Sequence, residues 1–392
     1  MNTPASPNAE ISHEAPITLA RLQGCKDILK QEYLRHHDYP WVIAYSGGKD
    51  STVLLQLVWE TIAALPSDSR KRPVLVIGND TLVESPLVIA HLRSTVEKIA
   101  AAASKAEFPL TTRITRPHVD QTFWVNVIGR GYIPPTRNFR WCTDRMKILP
   151  TSQLLEDLVA RHRAAVLLIG TRKAESENRR RSMTKHDVAG ARMTRHTSIP
   201  DCRMFAPLAD FTDNDIWTIL LQRPPPWGGS HHKLITLYRN AGGGECPLVL
   251  TADDAPSCGT TSPRFGCWTC TVIKKDRSLR GVIDSGHTDA AALGKLYDFR
   301  DWLIDLREDN TNRLPVRRTG ATRVRADGSL VFGPFTLDVR KRILQALEDL
   351  EVETGWPLLS QAERDVIEDI WRRDRIVEAS RAAFNEAVVA VV

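Results

Sequence analysis

Short apolar segments alternate with longer segments of helical periodicity along the first half of the chain. Apolar residues at helical spacing occupy Ile17–Tyr33, Pro86–Ala103 and Ser152–Arg163, and the segments typical of buried strands are Trp41–Tyr45, Pro73–Asp80, Leu110–Thr115 and Ala164–Ile169. Strands that alternate with helices of about a dozen residues indicate an α/β fold with a parallel sheet and helices on both faces. Ligands bind beyond the carboxyl ends of such strands.

The pattern changes after residue 206. A proline break at Pro224–Pro226 and a glycine run at Gly242–Gly244 precede a cysteine-rich stretch, and beyond Asp289 the pattern is mostly helical, with an irregular basic stretch at Arg313–Arg325. We therefore predict a flexible tail over 1–16, an α/β domain over 17–206, a cysteine-rich region over 207–281 and a mostly helical region over 282–392.

A glycine turn, Ser-Gly-Gly-Lys-Asp-Ser-Thr, lies between the first predicted strand and the following helix. Glycines let the backbone turn sharply and bring its N–H groups close to an anion, and the N-terminus of the helix adds free donors and a positive dipole end. The hydroxyls of Ser51 and Thr52 are further donors. The turn lacks the spacing of a Walker loop and the third glycine of a dinucleotide fingerprint. We interpret it as a pyrophosphate cradle.

The turn resembles the PP-loop of ATP pyrophosphatases, which cleave ATP between its α- and β-phosphates. The resemblance implies that ATP, with Mg²⁺, binds here, and that AMP activates an oxygen that a nucleophile then displaces. Asp80 and Gly170–Arg172 follow the second and fourth predicted strands, so they are expected to meet the loop at the same sheet edge. Asp80 or its backbone is expected to contact adenine or ribose.

Composition is that of an ordinary globular protein, 42% hydrophobic and 26% charged, with no apolar run long enough for a membrane span. The polar, proline-punctuated start lacks the order of a signal peptide, so we predict a cytoplasmic protein without a membrane partner. In a reducing compartment, cysteines act as buried hydrophobes, nucleophiles or metal ligands. The net charge of +6 tolerates a polyanionic partner without requiring one.

Four of the seven cysteines lie within 25 residues, Cys246, Cys258, Cys267 and Cys270. The spacing of the last two, C-x-x-C, with two more thiols upstream favours zinc or an iron–sulfur cluster. A redox pair fits less well, because thioredoxin-like motifs open a helix after a strand. A zinc ribbon closed on the four distal cysteines would leave Cys142 without a role as a ligand. A cluster near the nucleotide would include Cys142 among its ligands.

Several separated motifs resemble the phosphoadenylyl-sulfate (PAPS) reductase family: the PP-loop, Arg140–Pro150, Gly170–Arg179 and Pro207–Trp217. In its cluster-bearing members, a cysteine before a basic segment joins a distal C-x-x-C around a [4Fe–4S] centre. The resemblance therefore implies Cys142, Cys267 and Cys270 as ligands, with Cys258 as the fourth. Cys246 is the alternative fourth ligand or a sulfur carrier. Cys25 and Cys202 fall outside these motifs and are predicted to be core residues.

One departure argues against a reductase. Those enzymes attack sulfur with a cysteine in a C-terminal tail, and this sequence has none after Cys270. Over residues 17–281 the chain more closely resembles the sulfurtransferases of DNA phosphorothioation systems, the DndC family and its SspD-like relatives. The shared runs are Asn79–Glu84, Arg140–Asp144, Glu245–Pro247 and Arg264–Val272. The resemblance implies DNA as substrate, a cysteine desulfurase as sulfur donor and other phosphorothioation proteins as partners; a homo-oligomer stays open.

The resemblance also implies roles for individual residues. Lys49 and the loop amides would hold the leaving pyrophosphate, Asp50 would position Mg²⁺ or cap the helix, and Arg172 and Arg179 would hold the α-phosphate or the target phosphate. The full nucleotide set is Ser46, Gly47, Gly48, Lys49, Asp50, Ser51, Thr52, Asp80, Gly170 and Arg172. Arg179–Arg181 and Lys185 either contact DNA phosphates or form a solvated charged face.

Three other functions stay open from the sequence. A tRNA thiolase would combine a PP-loop, a C-x-x-C and a cluster, but no RNA-binding appendage is recognisable. A PAPS or APS reductase would need the missing tail cysteine. A non-catalytic scaffold would need neither the lysine nor the aspartate of the PP-loop. Pyrophosphate release and transfer of ³⁵S to DNA rather than tRNA would separate these functions.

Overall fold

The computed structural model describes residues 14–185, with side chains from residue 18, and residues 192–241 and 265–374. Cys246 and Cys258 lie outside these ranges. The chain divides into two compact units, each assembled from separate segments. Unit 1 comprises Met1–Asn79, Pro86–Thr115 and Thr151–Arg264, and unit 2 comprises Asp80–Ser85, Arg116–Pro150 and Phe265–Val392.

Unit 1 is built on a six-stranded sheet among its described residues, in the order β3-β2-β1-β4-β6-β5. The strands are β1 (Trp41–Ala44), β2 (Val74–Asn79), β3 (Leu110–Thr115), β4 (Ala165–Leu168), β5 (Met193–Arg195) and β6 (Cys202–Phe205). All neighbouring pairs are parallel except β5 and β6, which are antiparallel. The central strands β1 and β4 are almost fully buried, as expected for a parallel sheet covered on both faces.

The helices of unit 1 connect these strands or follow them. They are α1 (Glu14–Tyr33), α2 (Lys49–Ala63), α3 (Pro86–Lys105), α5 (Leu149–His162), α6 (Glu177–Lys185), α7 (Asp213–Gln222) and α8 (His232–Ala241), with α4 (Trp141–Thr143) belonging to unit 2. Helix α2 is buried along most of its length because its apolar residues pack into the main core of the unit. This burial fixes the start of α2, and hence the glycine turn, against the sheet.

Unit 2 holds the remaining helices, α9 (Arg277–Asp284), α10 (Ala290–Glu308), α11 (Leu337–Thr354) and a helix over residues 361–374. Its core contains an aromatic group in which the ring centroids of Trp124, Trp268 and Phe299 lie 5.8–6.0 Å apart. Two π-helical turns, Val125–Gly129 and Asp144–Ile148, follow Trp124 and α4. The segment Asp80–Ser85 pairs with the backbone around Cys267.

The predicted α/β class is confirmed, and the four predicted strands and three predicted helices are present with small shifts at their ends. The sequence did not predict β5 and β6, which are short and carry arginines at exposed positions, so their apolar periodicity is weak. Strand β5 adds an antiparallel edge to the predicted parallel sheet. Within the described ranges, none of the helices has both the length and the apolar composition that crossing a membrane requires.

Candidate nucleotide site and cysteine group

The glycine turn connects β1 to α2 in unit 1. Gly47 has a φ of +75°, a left-handed conformation that glycine adopts without strain, and Gly48 precedes the first helical residue in an extended conformation. The Ser46 backbone N–H donates to Ser51 Oγ at 3.2 Å, which closes the turn. The N-terminus of α2 therefore lies at the carboxyl end of β1, where an anion would bind.

The hydroxyls of Ser51 and Thr52 both donate to the Gly48 carbonyl, at 3.0 and 2.8 Å. Both side chains are buried. In this structure they shape the turn, and their predicted contacts with a phosphate stay a prediction.

A network of two cations and two carboxylates lies beside the turn. Arg172, which follows β4, donates from Nε to Asp50 Oδ1 and from Nη2 to Asp213 Oδ1, both at 2.6 Å. Lys49 Nζ lies 3.0 Å from Asp50 Oδ2 and 3.1 Å from Asp213 Oδ1. The carboxylates are partly exposed, at 23% and 43%, whereas the Arg172 side chain is buried. The two carboxylates are therefore the accessible part of the network.

The charges of the network stabilise one another. Burial alone would lower the pKa of Arg172, but the carboxylates of Asp50 and Asp213 raise it above its ordinary value. Burial would raise the pKa of Asp213, but Lys49 and Arg172 hold it below the usual aspartate value. Arg172 and Asp213 therefore stay charged at neutral pH.

Gly170 lets the end of β4 approach the start of α2. A Cβ atom at this position would lie 3.0 Å from the carbonyl carbon of Asp50 and 3.1 Å from the backbone nitrogen of Ser51. Both neighbours are backbone atoms at the turn, so they cannot move without moving the loop. The close approach brings Arg172 to Asp50, and only glycine permits it.

Arg172 and Arg179, both predicted to hold a phosphate, have different surroundings. The Arg172 guanidinium is fully buried and also donates to the Phe211 carbonyl at 3.2 Å, so it positions the two carboxylates. Holding a phosphate would require it to give up these contacts. Arg179 lies on α6, half exposed, with Nε 3.4 Å from Glu175 Oε2. Glu175 in turn accepts from the Arg172 backbone N–H at 2.9 Å.

Arg180 and Arg181, predicted as DNA contacts, both pair with Glu177 on the exposed face of α6, at 2.8 and 2.9 Å. Such pairs three and four residues apart are typical of a solvated helix face. Binding to DNA by this helix stays a prediction.

Asp80 begins unit 2, directly after β2. Its side chain is buried, accepts from the Leu82 backbone N–H at 3.0 Å and lies 3.3 Å from Arg116 Nε. The carboxylate therefore supports the local turn, where Leu82 has a φ of +66°. The predicted contact with adenine or ribose stays a prediction.

The Cys267 thiol lies in a polar pocket of unit 2. It is 3.3 Å from Thr81 Oγ1 and donates to Glu84 Oε1 at 3.7 Å, and Lys147 Nζ lies 3.1 Å from the same carboxylate oxygen. Burial and the Glu84 charge raise the pKa of Cys267, so the free thiol is protonated. Burial would lower the pKa of Lys147, but the neighbouring Cys267 and the Glu84 carboxylate, which accepts a hydrogen bond from the ammonium, raise this pKa, so the ammonium persists.

Cys142 and Cys270 belong to the same neighbourhood. Cys142 lies on α4, and its pKa is raised by burial and by the nearby Cys270. Cys270 closes the C-x-x-C turn by donating its backbone N–H to the Cys267 carbonyl at 3.1 Å. The structure therefore gathers three of the four predicted ligands within unit 2, although Cys142 is far from the others in sequence.

Two arginines of α10 hold the backbone that follows Cys270. Arg300 is fully buried and donates to the carbonyls of Cys270 at 2.9 Å, Lys274 at 3.2 Å and Ile273. Arg307, seven residues along and thus on the same helix face, donates to the Thr271 carbonyl at 3.0 Å. The position of Cys270 therefore depends on α10.

Cys142, Cys267 and Cys270 supply thiol donors, the ligand type of both zinc sites and iron–sulfur clusters. Across 14–185, 192–241 and 265–374, no three His, Cys, Asp or Glu side chains converge closely enough to hold a single metal ion. A [4Fe–4S] cluster distributes its thiolates over several iron atoms. A nearby ammonium such as Lys147 suits the negative charge of a thiolate-ligated cluster. The predicted fourth ligand, Cys258 or Cys246, is outside the described residues. Cys25 and Cys202 are buried in unit 1, as predicted for core residues.

Sequence reasoning gave no role to several residues of these sites. Asp213 opens α7 beside a capping box formed by Thr212 and Asp215, and an acidic residue in the first turn of a helix is common without any further role. Glu84 and Arg300 carry no local signal, because their roles arise from long-range contacts.

Comparison with known proteins gives a family and several distant likenesses. The model of the phosphoadenosine phosphosulfate reductase domain family matches residues 40–273. An uncharacterized protein of Methanocaldococcus jannaschii is 28% identical over 195 residues, which is 50% of this chain and 34% of that protein. The chain therefore spans about a third of the length of this relative.

Among solved structures, PAPS reductase from Candida auris is 14% identical, with a TM-score of 0.34, over 56% of this chain and 89% of that one. The U34-tRNA thiolase NcsA from Methanococcus maripaludis, solved with its [4Fe–4S] cluster, is 10% identical, with a TM-score of 0.34, over 73% and 80% of the two chains. Candida glabrata FMN adenylyltransferase in complex with ATP is 16% identical, with a TM-score of 0.35, over 59% and 62%.

Proposed function

The chain belongs to the phosphoadenosine phosphosulfate reductase domain family, and from that membership we propose a PP-loop enzyme that cleaves ATP to AMP and pyrophosphate and transfers sulfur to a DNA backbone phosphate. The observation that carries the ATP part is the network of Lys49, Asp50, Arg172 and Asp213 beside the glycine turn. It combines an anion site with two accessible carboxylates.

The site supports binding of ATP with Mg²⁺. The amides of the turn and Lys49 are donors for the β- and γ-phosphates, and Asp50 and Asp213 supply the carboxylate oxygens that Mg²⁺ prefers. The buried Arg172 guanidinium holds both carboxylates in place through its two hydrogen bonds. In the free protein Lys49 Nζ forms ion pairs with both carboxylates.

The first step activates the DNA phosphate. A non-bridging oxygen of the phosphodiester attacks the α-phosphorus of ATP, a new P–O–P bond forms, and the bond between the α-phosphorus and the bridging oxygen breaks, with pyrophosphate leaving. Two anions must approach each other, so the contribution of the protein is placement and charge neutralisation. Lys49 stabilises the charge that develops on the leaving pyrophosphate.

The second step exchanges oxygen for sulfur. Sulfide attacks the DNA phosphorus, and the bond to the AMP-bearing oxygen breaks, so AMP leaves with the original oxygen. With sulfide as nucleophile nothing is oxidised or reduced. Cys142, Cys267 and Cys270, with a fourth ligand from the region outside the described residues, would hold a [4Fe–4S] cluster. When bound, such a cluster supplies iron to which sulfide can bind. Glu84, held by Lys147, would orient the Cys267 side chain.

The test uses anaerobically purified, cluster-loaded protein with ATP, Mg²⁺ and [³⁵S]sulfide, with duplex DNA or bulk tRNA as acceptor. The proposal expects AMP and pyrophosphate in equal amounts, ³⁵S in DNA, and loss of both products in Lys49→Met. Lys71→Met, at an exposed lysine of unit 1, is the matched control and should behave like wild type. Label in tRNA would favour the thiolase, and no pyrophosphate would favour the scaffold; either result overturns the proposal.

A further inference from the structure

An exposed, arginine-rich segment of unit 2, residues 313–335, has no role in either site. We call it the arginine arm. Between Asn310 and Ala326 the sequence contains five arginines and no Asp or Glu. The arm lies between α10 and α11 and contains no regular helix or strand longer than an isolated bridge.

The base of the arm is fixed to unit 2. The Leu314 backbone N–H donates to the Pro334 carbonyl at 2.8 Å, and the Gly333 backbone N–H donates to the Leu314 carbonyl at 2.6 Å. The Arg313 guanidinium donates to the Gly333 carbonyl at 3.0 Å. Phe335 is fully buried, and its backbone N–H donates to the Gly131 carbonyl at 2.7 Å. The arm therefore leaves the unit from a defined position.

The outer part of the arm also has a defined backbone conformation. Two turns are closed by backbone hydrogen bonds, from Gly320 to Arg317 at 2.8 Å and from Gly328 to Arg325 at 3.0 Å, and both glycines have φ above +80°. Val331 donates to the Arg323 carbonyl at 2.8 Å, which makes a small hairpin. Residues two apart in an extended segment face the same side, so Arg323 and Arg325 lie on one side of this hairpin.

The five arginines divide into anchors and free cations. Arg313 and Arg318 are anchors, because Arg318 donates to Asp374 at 2.8 and 3.1 Å and to the Arg130 carbonyl at 3.1 Å. Arg317 and Arg323 are exposed and make no side-chain hydrogen bond or ion pair with the part of the chain that the structure describes. Arg325 donates only to the Ser329 hydroxyl, at 3.0 Å, among the described residues.

This arrangement differs from the basic helix α6. There, Glu175 and Glu177 neutralise Arg179, Arg180 and Arg181 at short range. The acid within the arm, Asp327, accepts from the backbone N–H and hydroxyl of Ser329. Exposed guanidinium groups that form no ion pair with the described residues attract a polyanion, and guanidinium geometry suits phosphate oxygens.

From these observations we propose that the arginine arm binds the phosphate backbone of the DNA substrate, with Arg317, Arg323 and Arg325 as the contacts. The inference rests on the proposed function, because it takes DNA as the acceptor of sulfur. The arm supplies affinity and orientation, and the phosphate contacts carry no sequence information.

The test measures binding of full-length protein to a fluorescent 30-base-pair duplex by anisotropy over a range of salt concentrations. Each phosphate contact contributes about 0.9 to the slope of log K against log salt, so Arg317→Gln/Arg323→Gln/Arg325→Gln should lower the slope by roughly 2–3 and weaken binding about tenfold or more. Arg317→Lys/Arg323→Lys/Arg325→Lys keeps the three positive charges and should retain most of the slope. Lys30→Gln/Lys71→Gln/Lys105→Gln removes three exposed charges from unit 1 and should leave the slope unchanged.

An unchanged slope in the triple glutamine variant would overturn the proposal, and intact ³⁵S transfer to DNA by that variant would leave the proposed function standing. Arm-dependent binding of an RNA hairpin, with none of the duplex, would overturn both. Equal thermal unfolding midpoints in all variants establish that the effects concern binding rather than folding.

Discussion

Arg172 Nε lies 2.6 Å from Asp50 Oδ1, although the two residues are 122 positions apart in sequence. The contact joins the end of β4 to the first turn of α2, and Asp213 completes it from the start of α7. Three separate elements of unit 1 thus depend on one buried guanidinium.

Arg172→Lys tests whether this guanidinium positions the carboxylates. An ammonium cannot bridge two carboxylates as a planar guanidinium does. Displacement by about 1 Å can lower rates by about a hundredfold, so we expect kcat for pyrophosphate release to fall about 10- to 100-fold, with a smaller change in the KM for ATP. Lys173→Gln, at the neighbouring surface position, is the control. Wild-type kcat in Arg172→Lys would contradict a positioning role.

Gly170→Ala tests the close approach between β4 and α2. The added methyl group would meet backbone atoms of Asp50 and Ser51 at 3.0–3.1 Å, so we expect a loss of about 1–3 kcal/mol in the free energy of unfolding and weaker binding of ATP. Gly24→Ala is the matched control, because Gly24 lies within α1 with open space around its Cβ position. There alanine should stabilise the protein by up to about 1 kcal/mol. Chemical denaturation measures both, and equal stabilities would refute the steric argument.

Cys142→Ala tests the proposed cluster. After anaerobic purification we expect about four irons per wild-type chain and a large loss in the variant, because a thiolate ligand is missing. Cys25→Ala removes a buried thiol of unit 1 and should keep the iron. Iron and acid-labile sulfide analysis measures the outcome. A single zinc, unaffected by Cys142→Ala, would exclude the cluster and make Cys142 a free thiol.

Arg300→Leu tests the support behind Cys270. The substitution leaves the carbonyls of Cys270, Ile273 and Lys274 without their donor, and each unsatisfied buried group costs about 1–3 kcal/mol. We therefore expect lower stability and lower iron content than in wild type. Arg280→Gln, at an exposed arginine of the same unit that pairs with Asp284, should change neither. Full iron content in Arg300→Leu would show that the loop holds its shape without this residue.

His231 gives a pH prediction. It is buried, its Nε2 lies 2.9 Å from Gln56 Oε1, and burial together with His91 lowers its pKa to about 4. The unfolded chain binds the proton near pH 6.5 and the folded chain does not until about pH 4, so stability is full above pH 6.5 and falls as the pH decreases. The loss by pH 4 is at most about 3 kcal/mol.

Urea unfolding between pH 7 and pH 4.5 measures this effect. His231→Gln retains a partner for Gln56 but does not titrate, so its stability should change less over this range than that of wild type. His118→Gln, at an exposed histidine, should behave like wild type. Parallel pH dependence in wild type and His231→Gln would show that other groups cause the loss.

The sequence alone determined the local features. The positions of β1 to β4, the glycine turn and the C-x-x-C follow from periodicity and from residues adjacent in the chain, because the physics of turns and helix starts acts over a few residues. The order of the separated motifs along the chain, from the PP-loop to Pro207–Trp217, also predicted the family that the comparison identified. The strands β5 and β6 could not be predicted in this way, because they are short and their apolar periodicity is weak.

The tertiary structure decided what brings distant residues together. Asp213 joins Lys49 and Arg172, Cys142 lies near Cys270, and α10 holds the backbone after the C-x-x-C. It also decided that the two compact units interleave along the chain and that Arg313 and Arg318 anchor the arm while Arg317 and Arg323 stay exposed. Each of these depends on the packing of whole elements, since sequence periodicity gives the buried face of an element but not its partner.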